Sequence, residues 1–241
     1  MPDKMSAPEI TDAAAQKLAE IHERMAAALK AGGRAPDAAQ LLAISKTKPA
    51  AAITPLIAAG HRHFGENRVQ EAADKWPALK AAHQGLELHL VGPLQTNKAK
   101  QAIDLFDVIQ TLDREKLARK MAALKQERAE AAKADPRGLP FPRFFIQVNS
   151  GDEPQKSGLS PSELAAFHAF CTQELDLHVV GLMCLPPQDE AAGPHFALLA
   201  KMAADLGLSQ LSMGMSGDFE TALSLGATQI RIGTALFGAR D

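Results

Sequence analysis

Tyrosine is absent from this 241-residue chain, and Trp76 is its only tryptophan. With aromatic residues at 5%, large rings contribute little to any core, and the phenol is unavailable as a catalytic acid. Cysteine is nearly as scarce. Cys171 and Cys184 are too few for a disulfide framework and form no C-x-x-C pair for zinc or redox work, so they read as buried, reduced thiols of a cytoplasmic protein. No stretch approaches the roughly 18 apolar residues of a membrane span, and residues 1–10 are mixed polar, without the apolar region of a signal peptide. An excess of one charge is missing too. The 26 basic and 28 acidic residues leave a net charge of -2, which offers nothing to wrap nucleic acid or bind an anionic membrane. What the chain has is alanine, 45 residues of it, within an apolar fraction of 46%. That is helix-forming material with enough apolar surface for a sizeable core, which excludes global disorder.

Ser6 and Glu9 form an S-x-x-E capping box, and Leu18, Ile21, Met25 and Leu29 mark one face of a helix predicted over about 8–31, ended by Gly32-Gly33. From residue 41 onward one unit repeats: a short apolar run, a small or polar loop, then an amphipathic helix. Strands are predicted at 41–44, 61–64, 86–91, 107–111, 144–148, 179–184, 211–213 and 229–232. Between them, helices are predicted from Pro49, through Val69 to Trp76, from about Thr96, after an Asp113 cap, after Ser160-Pro161-Ser162-Glu163, over 191–206 and over 218–225. Residues 131–142, rich in Pro and Gly, are predicted as a loop. Eight strands alternating with helices, behind one extra N-terminal helix, predict a single (β/α)8 TIM-type domain over 1–241, its barrel at about 41–241. A doubly wound sheet would stop at five or six strands and often carries a Gly-rich first turn, which is not found here.

Barrel sites form at the C-terminal ends of the strands, so those segments come first. Lys46 follows the apolar run 41–44 and is either a solvated lysine or an amine made nucleophilic by partial burial. Lys48, before Pro49, reads as exposed or as an electrostatic partner. Arg231, between Ile230 and Ile232, must be paired or face a polar site, because burying it alone costs too much. Gly233-Thr234 and the Ser212-to-Asp218 loop, with Ser216 as donor, match a phosphate cup at the last two strands. Searches for a serine-nucleophile elbow, a P-loop, a dinucleotide fingerprint or a metalloprotease motif fail. His61 and His63 lack a clear third metal ligand and read as structural. A lysine nucleophile, an arginine and a phosphate cup together suggest a phosphorylated aldehyde: pyridoxal 5′-phosphate (PLP) or an aldolase substrate.

The segments Ser45-Lys46-Thr47-Lys48-Pro49, Phe64-Gly65-Glu66-Asn67, Val91-Gly92-Pro93-Leu94-Gln95-Thr96-Asn97-Lys98, Gln147-Val148-Asn149 with Lys156-Ser157-Gly158, Gly181-Leu182-Met183, Leu211 to Ser216 and Arg231-Ile232-Gly233-Thr234 resemble, in order, the pyridoxal phosphate homeostasis protein family. The resemblance implies a barrel like the N-terminal domain of alanine racemase, and PLP held as a Schiff base on Lys46. It implies phosphate binding by Ser216, Gly233 and Thr234, Asn67 lining the pocket, and Arg231 facing the pyridine nitrogen. His89 and Met213 are implied as neighbours of the ring. It further implies a non-enzymatic role in PLP supply, with PLP-dependent apo-enzymes as candidate recipients; no metal is expected from the residues, and a monomer is expected because the racemase's second domain, with its dimer contact, has no counterpart. Racemisation in that fold uses an opposing tyrosine, and this chain has none. The alternatives are a PLP-dependent racemase or lyase, and a PLP-responsive interaction module. Arg68 stands where many relatives carry Tyr.

Overall fold

The computed structural model describes residues 7–134, 140–153 and 155–238, and the Ser6 end of the predicted capping box lies outside them. Eight parallel strands hydrogen-bond in chain order and close on themselves. They are β1 (Gln40–Ile44), β2 (His63–Glu66), β3 (Glu87–Leu90), β4 (Val108–Leu112), β5 (Arg143–Val148), β6 (Val179–Cys184), β7 (Gln210–Ser212) and β8 (Gln229–Ile232). α1 (Ala7–Ala31) precedes the barrel. The outer layer is α2 (Ala50–Ala58), α3 (Val69–Ala82), α4 (Ala99–Leu105), α5 (Glu115–Ala134), α6 (Leu164–Ala169), α7 (Ala192–Asp205), α8 (Phe219–Ser224) and α9 (Thr234–Phe237). The (β/α)8 barrel with an extra N-terminal helix is therefore the observed fold.

Strand alternation divides the side chains between two cores. Outward residues such as Phe64, Leu88, Ile109, Ile146 and Ile230 pack with Trp76, Leu117, Phe196 and Phe219 of the helices. Burying each such side chain contributes about 1.5–3 kcal/mol. Leu18, Ile21, Met25 and Leu29 of α1 join the same core, as their spacing predicts. Inside the barrel, Val108, Phe145 and Met183 form a separate apolar plug. Cys171 and Cys184 are both buried and free, and burial pushes each thiol up to about 12.

Four local predictions need correction. β2 begins at His63, because His61 and Arg62 serve the preceding turn: Arg62 Nη1 donates to the carbonyls of Ile57 and His61 at 2.8 and 2.9 Å. α5 runs on through Ala134, so residues 131–134 are helix and not loop. Ala131, Ala132, Lys133 and Ala134 are helix formers and continue the turn. Asp113 does not cap α5; its carboxylate turns to the Arg114 guanidinium instead. The Ser160 hydroxyl pairs with that of Ser162 at 3.0 Å, so α6 starts later, at Leu164, and continues into an unpredicted π-helical turn, Phe170–Glu174.

His61 carries a pH-dependent share of the stability. Its Nε2–H donates to the His63 carbonyl at 2.7 Å, and its ring stands edge-on to Phe64 with centroids 5.0 Å apart. Burial lowers its pKa from 6.5 to about 4. The unfolded chain therefore takes up a proton near pH 6.5 while the folded chain does not. Stability should fall as the pH drops from about 6.5 towards 4, by up to ~3 kcal/mol from this residue. Urea unfolding across that range should show the slope, and His61→Gln should flatten it by one proton. An unaltered slope in the variant refutes the assignment.

Candidate functional site

The loop after β1 sets Lys46 at the mouth. Lys48 N–H donates back to the Ser45 carbonyl at 3.1 Å, making Lys46 and Thr47 the middle of a tight turn. Thr47 has φ 62°, a left-handed conformation unfavourable for a β-branched residue. α3 holds the turn in that shape. Glu71 accepts the Thr47 N–H at 2.5 Å, and Lys75 Nζ donates to the carbonyls of Ser45 and Lys48 at 2.9 and 2.8 Å. Lys75 also pairs with Glu71 and with Glu66, both at 2.9 Å. Glu66 is fully buried behind the strand, where Ser45 Oγ and Trp76 Nε1 donate to it at 2.6 and 3.1 Å. Burial raises the Glu66 carboxyl above its ordinary range, against the opposing pull of these donors.

Two glycines let the other loops close in. A Cβ on Gly92 would lie 2.2 Å from the Asn67 carbonyl oxygen, so glycine allows the β3 loop to press against Asn67. Gly214, with φ 92°, would place a Cβ 2.6 Å from that of Ala222, so the β7 loop approaches α8 only without a side chain there. Beyond it, Asp218 Oδ1 accepts the Met215 N–H at 2.6 Å and shapes the Ser216-Gly217 tip.

These elements enclose a cavity of about 330 Å³ lined by Lys46, Asn67, Ser216, Arg231, Gly233 and Thr234, with Ile44, Val91, Leu185 and Met215 as its apolar walls. Six of the eight expected cofactor residues are thus brought together. Met213 and His89 are not among the lining residues. Met213 has outward parity on its strand and is buried in the core beneath the helices. His89 points into the barrel but lies below the mouth, fully buried between Glu87 and Gln110. The walls that the sequence reading missed include Leu185 and Met215, whose unusual exposure (39% and 40%) is a structural signal with no counterpart in local sequence.

The donor set suits a phosphorylated, planar ligand. Ser216 and Thr234 hydroxyls and the Ser216 and Gly217 amides hydrogen-bond to no described residue, leaving them for an anion. Arg231, 5% exposed, donates from Nη1 to Ser212 Oγ and from Nη2 to the Cys184 carbonyl, each at 2.8 Å. Two of its five N–H groups are so engaged, and the rest of the guanidinium edges the cavity. Burial lowers its pKa, opposed in part by the charge of the Asp218 carboxylate. On the other side, Lys46, Val91, Leu185 and Met215 also border a wider cavity of about 720 Å³ with Gln147, Asn149 and Lys156. Lys46 therefore stands on a shared wall between a donor-lined cup and an open chamber.

His63, for which no third ligand was expected, meets Glu87 and His89 at the far end of the barrel, their ligating atoms within 4.8 Å of one another. That grouping was not legible from the two-residue spacing of the histidines. Arg143 and His89 both donate to the Glu87 carboxylate, which makes the group part of a structural ion-pair cluster.

Comparison with known proteins gives a consistent result. The family model for the N-terminal domain of alanine racemase matches residues 14–241. The chain is 44% identical over 232 residues to the pyridoxal phosphate homeostasis protein of Pseudomonas aeruginosa, covering 94% of this chain and 96% of that one. It is 39% identical over 236 residues to the protein of the same name from Escherichia coli K12, covering 94% and 97%. Among solved structures, PipY of Synechococcus elongatus with PLP bound superposes with a TM-score of 0.75 at 36% identity, covering 93% of this chain and 100% of that one. An alanine racemase from Bartonella henselae, at 15% identity and TM-score 0.66, shares the fold over 95% of this chain and 59% of its own.

Proposed function

Because the chain belongs to the alanine racemase N-terminal domain family and, within it, to the pyridoxal phosphate homeostasis proteins, we propose that it is a cytoplasmic PLP-binding barrel, a single domain that stores and supplies the cofactor without turning over a substrate. One observation carries the reading: Lys46 shares its cavity with Arg231, Ser216, Gly233 and Thr234. When bound, the cofactor supplies an aldehyde that condenses with an amine. Lys46 supplies that amine. Ser216, Thr234 and the adjoining amides take the phosphate, while Asn67 lines the side of the cup. Leu185 and Met215 offer apolar surface to a planar ring. Arg231 would face the ring nitrogen of a bound cofactor as a permanent cation and disfavour a proton there, which would weaken the ring as an electron sink.

The open side argues for exchange over catalysis. The 720 Å³ chamber leaves Lys46 accessible to water and incoming amines, and a chain without tyrosine lacks the phenol that would oppose the lysine in a racemase. In this reading the chain acts as a monomer and passes PLP to apo-enzymes. The test is to load the protein with PLP, trap the adduct with borohydride, and follow the optical rotation of pure L-amino acids with the loaded protein. Stoichiometric labelling with no racemisation beyond that of free PLP is expected. Rapid loss of optical rotation would make the protein a racemase.

A further inference from the structure

Arg231 is buried at the mouth with no carboxylate within ion-pairing reach among the described residues. Its side-chain partner is a neutral hydroxyl, and that hydroxyl starts a chain of hydrogen bonds down the barrel axis. Ser212 Oγ donates to Gln110 Oε1 at 2.6 Å, and Gln110 Nε2 donates to His89 Nδ1 at 2.9 Å. His89 Nε2 donates to Glu87 Oε1 at 2.8 Å, and Glu87 Oε2 accepts from Arg143. Ser212 and Gln110 are 0% exposed and His89 is 1%. The links come from β8, β7, β4 and β3, so the path crosses the barrel interior.

The donors and acceptors along this path all fit one direction. Arg has no acceptor, so Ser212 must accept from it, and its one hydroxyl proton then goes to Gln110. Turning the Gln110 amide over would leave that buried O–H without an acceptor and place Oε1 against the Gln229 oxygen, which Nε2 now meets at 2.7 Å. With Nε2 towards His89, the imidazole carries its proton on the other nitrogen and gives it to Glu87. A neutral dipole chain thus links a buried cation to a carboxylate at the opposite end of the barrel.

We propose that Gln110 is a positioning residue for the PLP site: through Ser212 it fixes the Arg231 guanidinium against the cofactor ring nitrogen, and through His89 and Glu87 it links this cation, which no carboxylate at the mouth pairs directly, to a negative end. The inference rests on PLP binding in the cup. It makes the barrel interior part of the cofactor's electronic setting, although none of Gln110, His89 or Glu87 lines the cavity.

The test compares purified wild type, Gln110→Leu, Ser212→Ala, the double variant and Gln229→Leu. Each is loaded with PLP, and its affinity and absorption spectrum are followed across pH. Wild type is expected to keep a pH-invariant spectrum. Gln110→Leu and Ser212→Ala are each expected to lose about tenfold in affinity and to gain a pH-dependent spectrum as the ring nitrogen begins to titrate. The double variant should be no worse than either single one, since both cut the same chain. Gln229→Leu removes a buried amide from a side branch and should leave the spectrum pH-invariant. Where Gln110→Leu does not fold, Ser212→Ala against Gln229→Leu decides. Invariant spectra in both chain variants, or a Gln229→Leu spectrum that titrates as theirs do, overturns the inference. Failure of wild type to bind PLP overturns the functional reading beneath it instead.

Discussion

Lys46→Ala is expected to lose all borohydride-trapped PLP label, with a fall in PLP affinity of at least about hundredfold, or ~3 kcal/mol. The donors of the cup remain in that variant, because Ser216, Gly233 and Thr234 belong to the loops after β7 and β8, while Lys46 lies after β1. Weak, phosphate-dependent binding should therefore survive, and inorganic phosphate should compete with it. The fold should hardly notice. Lys46 is half-buried at a loop tip, and truncation at such a site costs within about 0.5 kcal/mol. Ser216→Ala combined with Thr234→Ala should give the reverse pattern, a label on Lys46 with affinity reduced. Peptide mapping by mass spectrometry after trapping checks both. A stoichiometric label in Lys46→Ala, on Lys48 or Lys156 for instance, would remove Lys46 from its proposed role.

The barrel was legible because its signals are local. β6 at Val179–Cys184 and β8 at Gln229–Ile232 fall where short β-branched and apolar runs place them, and Gly33, with φ 66°, ends α1 as a glycine should. The cup was legible for a related reason: Lys46, Asn67, Ser216 and Arg231 sit at strand ends, where barrel loops converge. Depth was harder to read. His89 and Met213 lie in segments that contribute to the site, yet strand parity and height send one below the mouth and the other outward. Gln110 was invisible as a functional residue, since its partner Gln229 is 119 positions away and only barrel closure brings them together. Thr47 was invisible for the opposite reason. A β-branched residue argues against positive φ, and the conformation exists because Glu71 and Lys75 of α3 impose it.

That imposed geometry makes Lys75 the residue whose loss should cost most outside the cup. Its side chain is 9% exposed, and its ammonium touches two carboxylates and ties the Ser45 and Lys48 carbonyls on either side of Lys46. Lys75→Met keeps the apolar stem and removes the ammonium, leaving Glu66 at 0% exposure with no cation. Stripping one partner from a buried pair costs about 3–5 kcal/mol, and urea unfolding near neutral pH should show it. The deficit has a predictable pH dependence. Glu66 is already raised above its ordinary range by burial, and losing Lys75 raises it further. A folded-state pKa above the unfolded one means that the folded chain binds the extra proton, so the variant should recover stability as the pH falls. Glu66→Gln placed on Lys75→Met should recover it at neutral pH, since an amide keeps an acceptor for Ser45 and Trp76 and carries no charge. Yet the rescued protein still lacks the two bonds that Lys75 makes to the turn. Its PLP labelling at Lys46 should stay slow even with stability restored. Recovery of both together would mean that Lys75 supports the fold alone and that Thr47 holds its turn without it.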